Sequence, residues 1–225
     1  MNLKTKAVFF DLFETLVTEF SNGKRQSDRS YNYLELLGLE KEDFKKEWHS
    51  RQLKRMTGIF SNYPAVLKDI SENRSLNFND ESVQYLYQER IKEKREPFLN
   101  IRSDLLELLE SLRNKQIKIG LISNCTEEEV RYFHESKLAP YFDSIVFSFE
   151  VGIAKPDVDI YQLACERLSA APEQSIFVGD GGSNELEGAK LAGLKVYHAV
   201  WFNTYIESTF KKINHPHELL KEIVE

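Results

Sequence analysis

Four short segments carry residue types that could act together. They are Asp11-Leu12-Phe13-Glu14-Thr15-Leu16, Ser123-Asn124, Lys155-Pro156-Asp157, and Val178-Gly179-Asp180-Gly181-Gly182-Ser183-Asn184-Glu185. A carboxylate such as Asp11 serves as a covalent nucleophile when a neighbouring cation orients it and moderates the charge of an incoming anion. Mg²⁺ suits that task, since it takes an octahedron of hard oxygens, usually one or two carboxylates with waters and substrate phosphate. Asp11, Asp180 and a third oxygen from the fourth segment could supply them. Lys155 would add a compact positive charge beside the nucleophile, and Ser123 Oγ with nearby N–H groups could hold phosphoryl oxygens. Thr15 is placed to hydrogen-bond Asp11. Taken singly, each has a plainer explanation: Asp11 as a turn or cap, Lys155-Pro156 as a loop, Gly181-Gly182 as a turn before a helix.

Their positions along the chain make the difference. Ala7-Val8-Phe9-Phe10 is a continuous apolar run of the kind found in a strand buried on both faces, and similar runs recur over 117–123, 144–148, 175–179 and 194–200. Helical patterns fall between them, over 103–114, 157–168 and 184–192, the last closed by Gly193. Alternating strands and helices predict an α/β fold, a doubly wound parallel sheet. All four segments then sit at carboxyl ends of strands, where open parallel sheets place their ligands.

Together, in this order and setting, the four segments resemble the haloacid dehalogenase-like (HAD) hydrolase superfamily over nearly the whole chain. The resemblance implies a phosphoryl group that passes to the first Asp before water removes it. It assigns catalysis to Asp11, Thr15, Ser123 and Lys155, substrate binding to Ser123, Asn124 and Lys155, and a Mg²⁺ site to Asp11, Phe13, Asp180 and Glu185. Counting forward from Asp180 reaches Asn184, whereas counting back from Gly188-Ala189 reaches Glu185. A one-residue insertion would explain the difference, and the anionic Glu185 suits Mg²⁺ better.

One departure matters. Phosphatases of this superfamily usually carry a second Asp two residues after the nucleophile, which protonates the leaving group; here that position is Phe13. A positioned general acid–base is worth about 10²–10⁴ in rate. Relatives that break carbon–halogen bonds tolerate an aromatic there, but generally lack the metal-binding Asp that this chain keeps as Asp180. Tyr161 stands where dehalogenases have a tyrosine, although its helical spacing fits a core residue. Three readings follow. One is a Mg²⁺-dependent phosphohydrolase for a small anionic metabolite with a good leaving group, or with a proton drawn from Glu14, the insertion or the substrate. The second is a 2-haloacid dehalogenase, and the third a catalytically weak binding homologue.

Between about Val17 and Pro97 the strand–helix rhythm stops, and apolar residues keep helical spacing. We expect a smaller all-helical cap over 17–97, inserted into a core of residues 1–16 and 98–225. The cap carries a net charge of +1 and the remainder −7, so the overall −6 belongs to the core. Lys45, Lys46, Arg51, Lys54 and Arg55 are opposed only by Glu47 between positions 45 and 55. If this basic helix faces the cleft, Arg51 or Arg55 would bind a carboxylate or second phosphate. The acidic balance speaks against nucleic acid as a partner. No apolar run spans a bilayer, and we expect no signal peptide because the apolar run before Asp11 is too short for one. Cys125 and Cys165 form no framework, so we expect a cytoplasmic chain with reduced thiols. His215 and His217 should precede a C-terminal helix, and no sequence feature sets the oligomeric state.

Overall fold

The computed structural model describes residues 4–21, 24–27 and 30–223. The chain begins with β1 (Ala7–Phe10), then a short antiparallel pair, β2 (Phe20–Ser21) and β3 (Lys24–Arg25). Five helices follow: α1 (Tyr33–Leu37), α2 (Lys41–Ser50), α3 (Gln52–Met56), α4 (Tyr63–Asn73) and α5 (Asp80–Arg95). From there α6 (Ser103–Asn114), β4 (Lys118–Ser123), α7 (Glu127–Val130), β5 (Ser144–Phe147), α8 (Ser148–Val151) and α9 (Val158–Leu168) alternate. The chain closes with β6 (Ser175–Gly179), α10 (Glu185–Leu191), β7 (Lys195–Ala199) and β8 (Lys212–Ile213).

Six strands form one parallel sheet in the order β5-β4-β1-β6-β7-β8. Period-two alternation sends the β1 side chains to opposite faces. Val8 and Phe10 pack with Leu105 and Leu109 of α6, while Ala7 and Phe9 pack with Ile160 and Ala164 of α9 and Ala189 of α10. Each large side chain so buried contributes about 1.5–3 kcal/mol. This two-faced core is the doubly wound sheet expected from the apolar runs. The chain first builds outward from β1 through β4 to β5, then returns to build β6, β7 and β8 on the other side. That reversal opens a crevice at the carboxyl ends of the strands beside β1.

The helices between 33 and 95 enclose a cluster of their own, with Leu37, Phe44, Tyr63, Leu67, Ile70 and Leu86 buried together. Asn32, Asn62 and Asn79 cap α1, α4 and α5 by accepting from the backbone N–H of Glu35, Ala65 and Glu81. The inserted segment is not all helical, because it opens with the β2–β3 ladder. With two residues per strand, that ladder has too little alternation to read from the sequence. Nor do the described residues include a C-terminal α-helix: residues Pro216–Glu222 form 3₁₀ turns packed on α6, with Leu219 buried.

The basic character of 45–55 is also partly offset in three dimensions. Arg51 donates to Glu47 and to Asp69 of α4, Lys45 pairs with Glu42, and Lys46 with Asp43. Acids just upstream and on a neighbouring helix supply what the local sequence lacks.

Candidate active site

Asp11 leaves the end of β1 with its N–H held by Val178 O of β6 at 2.9 Å, and is only 6% exposed. Lys155 Nζ stands 2.5 Å from Asp11 Oδ1 and also donates to Glu185 Oε2. One oxygen from each of Asp11, Asp180 and Glu185 lies within 4.8 Å of the others. The lysine is positioned through its main chain: Asn124 Oδ1 accepts from Lys155 N and Asn124 Nδ2 donates to Lys155 O, both at 2.8 Å. Asp180 is fixed by the N–H of Gly182 at 2.9 Å and by Asn203 Nδ2 at 2.8 Å. Glu185 Oε1 accepts from Gly181 N–H at 3.1 Å.

Two glycines make this packing possible. A Cβ on Gly179 would fall 2.1 Å from Glu185 Oε1, and one on Gly188 would fall 2.4 Å from Pro156 O. Ser183 and Asn184 both have left-handed backbones just before α10. Asn184 is thereby exposed and Glu185 is buried beside Asp11.

Burial pushes the Asp11 carboxyl up, opposed by Lys155 and reinforced by Asp180. Burial, then the adjacent Asp11, pushes Glu185 up to about 8. Lys155 rises above its usual range because Asp11 and Glu185 outweigh the cost of its own burial. Among the described residues, these three buried carboxylates, when all are ionised, face one ammonium and leave a deficit of two positive charges. A divalent cation with a preference for oxygen would balance it. The donor set therefore fits Mg²⁺. Phe13 has only its main-chain carbonyl to contribute, since its ring packs edge-on to Phe98 with Lys94 Nζ 5.3 Å from its centre.

Above the triad lies a cleft of about 200 Å³, lined also by Phe13, Glu14, Asn124, Gly182 and Ser183. Ser123, at the end of β4, is fully buried and its Oγ has no hydrogen-bond partner. Thr15 Oγ1 is likewise without a partner, so the expected bond from Thr15 to Asp11 is not made. The Thr15 carbonyl instead accepts from Trp201 Nε1 at 2.7 Å. Arg51 and Arg55 do not line the cleft. Arg51 is consumed by Glu47 and Asp69, whereas Arg55 is 5% exposed and stacked 3.9 Å over Trp48 with its Nε unpartnered. Tyr161 is core, donating its hydroxyl to Glu185 O at 2.7 Å. Burial raises the Cys125 thiol well above its ordinary value, so it is a packed side chain and not a nucleophile.

Sequence reasoning missed Asn203 and His198. His198 Nε2 lies 2.8 Å from Asp180 O and its Nδ1 2.8 Å from Ser208 Oγ, so this ring braces the Asp180 turn. For His198 the available signal was position, since it lies near the carboxyl end of the run 194–200; Asn203 lies beyond that run.

A parallel α/β sheet has an aspartate after its first strand, joined by a lysine from the loop after α8, an acid after β6 and the first residue of α10, an arrangement that fits a class of hydrolase. The family model for haloacid dehalogenase-like hydrolases matches residues 5–193, and the chain belongs to that family. The phosphorylated carbohydrates phosphatase of Thermotoga maritima is 31% identical over 135 residues, covering 60% of this chain and 58% of that protein. The N-acylneuraminate-9-phosphatase of Rattus norvegicus is 25% identical across 99% of this chain and 92% of that protein. Among solved structures, a 2-haloacid dehalogenase from Pseudomonas syringae pv. Tomato superposes with a TM-score of 0.67 at 21% identity, covering 96% of this chain and 97% of that one. A wild-type family enzyme from Bacteroides thetaiotaomicron, complexed with magnesium and inorganic phosphate, gives 0.62 at 18% identity, covering 89% and 97%. At such identities the structural likeness shows the fold.

Proposed function

We propose that the protein is a Mg²⁺-dependent phosphohydrolase acting on a small anionic phosphorylated metabolite. The observation that carries this reading is the buried Asp11–Asp180–Glu185 triad around Lys155, whose charge deficit a divalent cation offsets. It is supported by the phosphatase names of the sequence relatives. Mg²⁺, held by Asp11, Asp180, Glu185 and the Phe13 carbonyl, would neutralise phosphoryl oxygens. The other Asp11 oxygen attacks phosphorus, forming an O–P bond as the bond to the leaving group breaks. Water then attacks the aspartyl phosphate, releasing inorganic phosphate and restoring the carboxylate. Lys155 holds the nucleophile in place, and the unpartnered Ser123 Oγ, buried and outside the cleft lining, would donate to a phosphoryl oxygen once its side chain turns toward the cleft.

Phe13 supplies no proton, so the leaving group either needs none, as with an acyl phosphate, or takes one from Glu14. Glu14 is the carboxyl that lines the cleft outside the triad. Residues 17–97 act as a lid over this core. Arg51 is spent on its cap partners and Arg55 is buried over Trp48, and neither lines the cleft, so we assign neither to a second anionic group of the substrate. Both cysteines are free and buried, which suits a reducing compartment such as the cytoplasm. No described helix is long and apolar enough to cross a membrane.

A second reading, a 2-haloacid dehalogenase, is favoured by Phe13 beside the nucleophile, because halide leaves without a proton. A panel of phosphate esters, acyl phosphates and short 2-haloacids, run with Mg²⁺ and with chelator, separates the two. Phosphate release that needs Mg²⁺ and vanishes in Asp11→Asn is expected. Chelator-insensitive halide release without phosphate release would replace this reading with the second.

A further inference from the structure

A second cavity, of about 150 Å³, lies wholly within the cap and shares no lining residue with the catalytic cleft. Aromatic rings make its walls. Tyr33 stacks on Phe44 at 4.1 Å, and Trp48 stands 6.0 Å from Phe44 and 5.0 Å from Tyr63. Phe44 and Trp48 are one helical turn apart on α2, so both rings project from the same face. An apolar protein cavity of about 150 Å³ holds a molecule the size of benzene.

The charges around the cavity select the ligand's sign. A cation would find its place taken, because the Arg90 guanidinium already lies 4.9 Å over Trp48 and 5.5 Å over Tyr63. Glu93 also lines the cavity and keeps its charge, but one of its oxygens already accepts the Tyr31 hydroxyl. An anion meets a different situation. Lys41 lines the cavity, is exposed, and has no ion pair within 4 Å among the described residues. Lys45 lies one turn along on the same helix and also lines the cavity.

From these observations we infer that the cap cavity is a binding site for a small planar aromatic anion, its ring among Tyr33, Trp48 and Tyr63 and its acid group on Lys41. The site does not depend on what reaction the cleft performs. Arg90 is its link to the rest of the molecule, since the same guanidinium that faces the rings donates to Glu128 and Glu129 of α7.

Benzoate is the probe. The chain has two tryptophans, Trp48 in the cavity and Trp201 beside the catalytic segment. Labelling with 5-fluorotryptophan therefore gives one fluorine resonance for each place, assigned with Trp201→Phe. Benzoate should move the Trp48 resonance saturably, with a dissociation constant on the order of 1 mM, ordinary for a ligand of about nine heavy atoms. Cyclohexanecarboxylate should bind at least about fivefold more weakly, and benzylammonium should leave the resonance in place. Lys41→Ala, an exposed substitution, should weaken benzoate about threefold. The inference is overturned if the Trp48 resonance does not move, if only Trp201 responds, if benzylammonium binds as well as benzoate, or if Lys41→Ala changes nothing.

Discussion

Lys155 Nζ sits 2.5 Å from Asp11 Oδ1, although 144 positions separate the two residues. The same ammonium donates to Glu185, so one cation holds apart two buried carboxylates. Lys155→Ala would leave both facing each other. Removing one partner from a buried pair costs about 3–5 kcal/mol. Urea unfolding in chelator should show a loss of that size, and millimolar Mg²⁺ should recover part of it. A midpoint unchanged in chelator would show that the pair does not hold the site together.

Metal removal should make stability depend on pH. Without metal, Glu185 is pushed up from 4.5 to about 8, first by burial and then by Asp11. The folded chain then binds this proton more tightly than the unfolded chain does. The stability so gained is full below pH 4.5 and is lost as pH rises through about 8. Thermal melts in chelator should fall between about pH 4.5 and pH 8.5, and Glu185→Gln should flatten that slope. A wild-type profile already as flat as the variant's would contradict the assignment.

Glu14 has φ of 60°, a conformation that glycine adopts without cost, and its carboxylate accepts from Thr18 Oγ1 and from the N–H of Glu19. Burial raises this carboxyl above its ordinary value. If it protonates the leaving group, Glu14→Gln should lower kcat on alkyl phosphates by about 10²–10⁴ and spare acyl phosphates. Equal losses on both substrates would make Glu14 a structural residue. Phe13→Asp, which restores an acid at the neighbouring position, should favour alkyl phosphates.

Cap and core meet across a buried ionic seam. Arg90 pairs with Glu128 and Glu129, and Lys94 with Glu129 and Glu19. Lys94 and Arg90 hold the Glu129 carboxyl far below the usual carboxylate range despite its burial. Arg90→Met should destabilise the protein by about 3–5 kcal/mol, whereas Lys45→Met, at an exposed pair, should cost less than about 1 kcal/mol. Comparable midpoints for the two variants would mean the seam contributes no more than a surface pair.

Much of the core was legible because burial on two faces leaves continuous apolar runs, and because Asp11, Ser123 and Asp180 fall just where such runs end; Lys155 instead lies past β5 and the short α8, and Asn124 holds it in the site. Counting back from Gly188-Ala189 pointed to Glu185, which lies beside Asp11 and Asp180, after a left-handed turn at Ser183 and Asn184. What failed to show depends on partners distant in sequence. Arg51 reads as a free cation until Asp69 is brought beside it, and Thr15 reads as a partner of Asp11 until its backbone is tied to Trp201. Asn203 lies beyond the last motif, and nothing in its neighbours shows that its amide will hold Asp180.

Gly179 and Gly188 give the site a vulnerability that chemistry alone would not reveal. Neither has a functional group, yet a methyl on one would collide with Glu185 and on the other with the turn carrying Lys155. In a saturation mutagenesis screen for inactive variants, these two positions should score beside Asp11. Conservative exchanges at the exposed Asn184, one residue from Glu185, should pass unnoticed.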